Sequence, residues 1–191
     1  MPFLPPTAAG ERDVLKAFAL QQIGQVRTTL HGLTTEQVHR RTTASELSLA
    51  MLARHIRNAC LAWGGAAVAA PARPSTGAEV LAGNDDAWAM AGTETPDDLR
   101  AGLDEASAFF ASVVGDADLD AIVPTPEAPW FPADLAGWQA RWVVVHIIAE
   151  VARHAGHADI IRESLDGKTS YELNARADGE LADDEEFPTW G

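Results

Sequence analysis

The sequence predicts an all-α protein: an antiparallel four-helix bundle with short additional helices and long connections. Three observations predict it. Four long stretches repeat apolar residues at helical spacing, which is the pattern of helices that each bury one stripe. Proline, glycine and capping residues punctuate those stretches. No stretch alternates as a strand does, and the β-branched run Val143–Val145 lies inside the longest helical pattern. Four amphipathic helices satisfy one another most simply as a bundle.

Residues 1 to 10 carry three prolines and read as an irregular lead-in. From Glu11, Val14, Phe18, Leu20, Ile23, Val26 and Leu30 recur near helical spacing, and Gly32 ends the run. Thr34 with Gln37 three residues on is a capping pattern, which starts a short helix through about Arg40. A second long helix begins near Ser45 or Ser48, with Leu49, Leu52, Ile56, Ala59, Cys60 and Trp63 as its stripe and His55 on the shoulder. Gly64-Gly65 is expected to loosen it, and Pro71 and Pro74 to close it. Residues 72 to 94 read as a mixed, polar loop apart from Trp88 and Met90.

Thr95, Pro96, Asp97 and Asp98 mark the clearest helix start: an N-cap, a proline that needs no amide hydrogen, and two charges that complement the dipole. Leu99, Leu103, Ala106, Phe109, Phe110 and Val113 form its buried face, and Gly115 is the expected stop. Four prolines between 116 and 136 predict an irregular crossing anchored by Trp130 and Phe131. The fourth long helix is expected from about Gly137 to Ser164. The polar, acidic segment 168–191 is expected to be extended. We therefore read 1–191 as a single domain, with the bundle at about 11–167.

Charge narrows the function. With 14 basic and 28 acidic residues the net charge is −14, which opposes a nucleic-acid or anionic-membrane partner, since both need positive patches. Cys60 is the only cysteine, so no intrachain disulfide forms and a reducing compartment fits. The N-terminal residues lack a basic start followed by a long apolar run, and no apolar run reaches membrane-spanning length. These features predict a cytoplasmic protein.

The chemistry concentrates on RWVVVHIIAEVARHAGHADIIRE, Arg141 to Glu163. At about 100° per residue, Val143, Ile147, Glu150, His154, His157 and Ile161 share one stripe. A carboxylate and two imidazoles on a buried face are costly unless paired. Glu150 and His154 are four residues apart, so both can reach one divalent ion. His55, the sole histidine of the second long helix, is the best third ligand. Two imidazoles and a carboxylate suit zinc first, and also nickel or ferrous iron; three protein ligands leave a position for water or substrate. His157, one turn beyond His154, is the candidate catalytic residue, placed to bind substrate or orient a ligand. The competing reading has Glu150 paired with Arg153 or His146 on its own helix. His146 itself, one turn before Glu150 and off the stripe, is expected to face solvent, with support of a ligand from outside as its alternative role. Cys60 reads as a small buried hydrophobe, and Trp63, Trp88, Trp130, Trp138 and Trp142 as core or pocket wall.

The segment EVARHAGHAD, Glu150 to Asp159, followed by IIRE, resembles the last-helix signature of the DinB/YfiT-like bundle superfamily, particularly its actinobacterial mini-circle branch. LARHIRNACLAW, Leu52 to Trp63, resembles that family's second helix, whose histidine is the first metal ligand. The likeness spans about Glu11 to Gly167. It implies a four-helix bundle, often a homodimer, with a metal triad between helices. Many members use three histidines, the last two spaced by four; Glu150 stands where the earlier of that pair would be. In this the chain resembles the mycothiol-dependent maleylpyruvate isomerases, whose zinc triad is two histidines and a glutamate. The resemblance thus implies His55, Glu150 and His154 as ligands. It further implies a small-molecule substrate and a low-molecular-weight thiol cofactor, serving a transferase or isomerase. A metal-activated hydrolase and a non-enzymatic metal- or ligand-binding stress protein are the alternatives.

Overall fold

A computed structural model describes residues 4–72, 92–125 and 134–188. Within them the elements run α1 (Glu11–Thr28), α2 (Thr35–His39), α3 (Leu49–Ala69), α4 (Pro96–Asp116), β1 (Ile122–Pro124), β2 (Gly137–Gln139), α5 (Ala140–Asp166) and α6 (Ser170–Ala177). The expected anchors Trp130 and Phe131, and most of the 72–94 loop with Trp88 and Met90, lie outside the described residues.

The starts are where local chemistry puts them. The Thr34 hydroxyl accepts from the Gln37 amide while the Gln37 side chain accepts from the Thr34 amide. Thr95 and Asp98 make the same reciprocal pair at α4, with Pro96 at the first position. Ser48, not Ser45, caps α3. Such caps satisfy amides that helix ends leave without partners, each contributing about 1 kcal/mol. Gly167, at φ +79°, ends α5 in the left-handed region that glycine enters without a Cβ penalty.

Cross-helix contacts fix the directions. Arg141 at the start of α5 meets Glu11 at the start of α1, and Arg162 near the end of α5 meets Thr29 just past α1, so these two helices are parallel. Arg12 bonds the carbonyls of Val114 and Ala117 while Arg27 pairs with Asp104, so α1 and α4 are antiparallel. His55 beside Glu150 and Trp63 beside Trp142 make α3 antiparallel to α5. Arg57 beside Glu105 and Gly64 against Phe109 make α3 parallel to α4. The bundle is therefore up-down-down-up, and the long connection after α3 returns the chain to the same end. Ile23, Val26, Leu52, Ile56, Leu103, Phe110, Val144 and Ile147 fill the centre. Burying each large apolar side chain contributes about 1.5–3 kcal/mol.

Several expectations are corrected. Gly64-Gly65 does not loosen α3: a Cβ at Gly64 would stand 2.8 Å from Phe109 Cε1 and 3.2 Å from Val113 Cγ2, so its absence lets α3 and α4 pack closely. Gly115 lies inside α4, which ends at Asp116. Among the described residues there are two short strands: β1 and β2 pair antiparallel, Val123 opposite Trp138, and Gly137–Gln139 belongs to β2, so the last long helix starts at Ala140. Within segment 168–191, the described residues 168–188 are not simply extended. Thr169 caps α6, Leu173 is buried, and the Asn174 and Gln25 amides exchange hydrogen bonds of 2.8 and 3.0 Å. Val14 and Phe18 are exposed, so the buried stripe of α1 begins at Ala19 and Ile23. Among the described residues no helix is long and apolar enough to cross a membrane.

Candidate metal centre

Ser48 sets the start of α3, and seven residues on, about two turns, the helix carries His55 into the interface with α5. The His55 side chain is 8% exposed. From α5, Ile147 and Val151 are buried on either side of Glu150, so packing fixes the rotation that turns Glu150 and His154 toward α3. Glu150 Oε1 lies 3.2 Å from His55 Nε2 and 3.1 Å from His154 Nε2, accepting from both imidazoles. The two rings stand edge to face at 4.7 Å. One ligand atom from each of the three residues falls within 4.8 Å of the others. Arg153 is not the partner of Glu150; the imidazole of α3 and the one a turn further along α5 are. Their hydrogen bonds, His154's first and then His55's, hold the Glu150 carboxyl well below the usual range, against the opposing effect of burial.

His157 is in contact with the group from outside. Its Nδ1 lies 3.3 Å from His154 Nδ1, on the edge of that ring turned away from Glu150. His146 does not face open solvent as expected. It is half-buried, stacked on Trp142 at 5.0 Å and 8°, with Trp63 edge-on at 5.1 Å. Burial lowers its pKa, and the charge of Glu150 opposes that shift. Cys60 is fully buried and its thiol is pushed up to about 12 by desolvation, so it is no nucleophile. His31 pairs with Asp183, and His39 with the Glu94 carbonyl.

The residues fit a divalent cation. Bonds of about 2.0–2.2 Å in a tetrahedron separate ligand atoms by roughly 3.4 Å; the 3.1 and 3.2 Å contacts lie close to that separation. Imidazole nitrogen and carboxylate oxygen are the donor types that zinc, nickel and ferrous iron accept. A cavity of about 430 Å³ between α3 and α4 is a different place: its walls include Arg54, Arg57, Asn58 and Glu105, and none of the three converging residues.

A bundle of this kind is found elsewhere. A conserved protein from Enterococcus faecalis, known as a crystal structure, superposes with a TM-score of 0.57, covering 84% of this chain and 100% of its own, at 14% identity. That likeness concerns the fold alone. No curated protein matches the sequence. The sequence model of the family described as mycothiol-S-transferase matches residues 14–167, which take in α1 from its second turn, the other three long helices and the converging triad. The chain belongs to that DinB-like family.

Proposed function

We propose that the protein transfers a low-molecular-weight thiol of the mycothiol type to a carbon electrophile, or isomerises one by addition and expulsion, at a divalent ion held by His55, Glu150 and His154. The supporting observation is the convergence of three donors within 4.8 Å in a chain whose sole cysteine is buried and unreactive. A nucleophilic sulfur must therefore arrive with a small molecule. A divalent cation held there, zinc first among the candidates, would supply the Lewis acidity that lowers that thiol's pKa toward neutrality.

The chain's own residues do the rest. His55 and Glu150 fix the site across the α3–α5 interface, so its geometry is set by core packing rather than by a loop. His157 acts as a positioning residue: its contact with the far nitrogen of His154 holds that ring in place, and when His154 Nδ1–H is the donor, Nε2 keeps its lone pair for the ion. In the transfer, the thiol sulfur forms one bond to the acceptor carbon, the leaving group departs with its electron pair, and the thiol proton passes to solvent.

Elemental analysis of unchelated protein, followed by calorimetric titration with mycothiol, bacillithiol and glutathione, tests this. One equivalent of metal and heat from mycothiol are expected. Silence from all three thiols overturns the thiol assignment. Product formed equally well without thiol replaces it with metal-activated hydrolysis.

A further inference from the structure

Beside the triad is a feature that binding a metal and a thiol does not require. Trp138, Trp142 and His146 are spaced by four on one face, from β2 into α5, and their rings stack: Trp138 on Trp142 at 4.7 Å and 10°, Trp142 on His146 at 5.0 Å and 8°. Trp63 of α3 closes one side, edge-on to all three rings at 5.9, 6.4 and 5.1 Å. The column points along α5, and its next position is Glu150, about 6 Å further on. Across the interface, Ala59 lies midway between His55 and Trp63, one turn of α3 from each. Its methyl group is the smallest side chain of that row, opposite the last ring of the column.

Two details mark this as more than core. Trp142 is 41% exposed although both of its faces are covered, so the stack borders solvent. Neither ring nitrogen of His146 has a hydrogen-bond partner among the described residues. A half-buried imidazole without a polar partner, at the end of a stack, presents a flat face and an uncommitted polar edge.

We propose that His146, backed by Trp142 and flanked by Trp63, is the acceptor shelf of the site: it takes a flat, conjugated electrophile whose ring extends the stack and whose polar substituent bonds the His146 ring nitrogen. The proposal rests on the thiol-transfer reading and adds the class of second substrate. For an electron-poor aryl halide the reaction is a displacement: the thiol sulfur bonds to the ring carbon that carries the halogen, the halide leaves with the bonding pair, and the thiol proton passes to buffer.

The test uses full-length, metal-loaded protein. Non-reactive 2,4-dinitroaniline, added without thiol, should shift the indole N–H resonances of Trp63 and Trp142 in a nitrogen-15 spectrum. With mycothiol present, the ratio of kcat/KM for 1-chloro-2,4-dinitrobenzene over that for the non-aromatic electrophile iodoacetamide should fall about tenfold in His146→Leu, the scale of one lost stacking contact. His146→Phe, which keeps a ring, should restore most of that ratio. Indole shifts without turnover of either electrophile would leave the shelf standing and remove the thiol-transfer reading. Turnover without indole shifts would remove the shelf alone. The same shifts produced by mycothiol alone would give the stack to the thiol's sugar and overturn the proposal.

Discussion

Arg162 and Glu150, two of the charged groups on α5, lie twelve residues apart. Arg162 is 1% exposed, and its charge is consumed. Nε and Nη2 donate to Asp166 at 3.0 and 2.9 Å, and Nη1 donates to the carbonyls of Thr29 and His31 at 2.6 and 2.7 Å. Those carbonyls lie just past the end of α1, where a cation is favoured because helix-end carbonyls lack partners. Glu150 is the reverse case. Its side chain is 28% exposed, and one of its oxygens takes both imidazoles. The cluster is rich in lone pairs that all converge on one volume. A guanidinium with its donors engaged holds a fold together; three Lewis bases facing one another invite a cation.

The largest effect expected from this contrast is on Arg162. Arg162→Met should cost about 3 kcal/mol, because it strands two carbonyls and leaves Asp166 without its cation. Urea denaturation measures it, and a loss under about 1 kcal/mol would break the distinction drawn here. Metal affinity of the folded fraction should not change. Glu150→Gln should show the opposite profile. Without metal, its stability should stay within about 1 kcal/mol of the parent, since the amide oxygen still accepts hydrogen bonds. Metal affinity should fall by at least about a hundredfold, beyond the loss typical of an outer partner. Competition against a chromophoric chelator reads this directly; an unchanged affinity would mean that any ion sits elsewhere. His157→Ala comes next, at about tenfold in metal affinity, and His157→Gln should recover part of it by supplying another hydrogen bond to His154 Nδ1.

The same contrast explains what could be read from the sequence. The four long helices were legible because each repeats apolar residues over many turns, and their starts because Thr34, Ser48 and Thr95 carry cap chemistry. Glu150 and His154 were visible as polar residues on an otherwise apolar stripe. His55 was visible only on the shoulder of its stripe, and the α3–α5 packing turns it inward. Less legible was whatever depends on a distant partner or on few residues. Three-residue strands leave no period to detect. α6 is polar in composition and is held by Leu173 and by the Asn174–Gln25 pair, whose members are far apart in the chain. Nothing in the local sequence sets Arg162 apart; its role depends on the end of α1, 133 residues away in the chain. His146 was placed in solvent because spacing gives its angle on α5 but not Trp63 opposite.

A third carboxylate on α5 sharpens the comparison at the small end. Asp159, nine residues after Glu150, is also partly buried, but no imidazole faces it and it accepts no hydrogen bond within the described residues. Burial, helped by the charge of Glu163, raises its pKa to about 6, the opposite direction from Glu150. An aspartate raised in the folded state binds more protons folded than unfolded between its two pKa values, so stability declines as pH rises through about 4 to 6 and is level above that. Asp159→Asn removes the penalty. Solvent reaches this group, so the discounted gain at pH 7.5 is about 1 kcal/mol, and it should vanish near pH 4. Urea midpoints in chelator at the two pH values separate this from metal release. An equal gain at both would make the effect one of packing; no gain at pH 7.5 would mean that solvent already neutralises the cost and that buried acids on α5 differ less than their surroundings suggest.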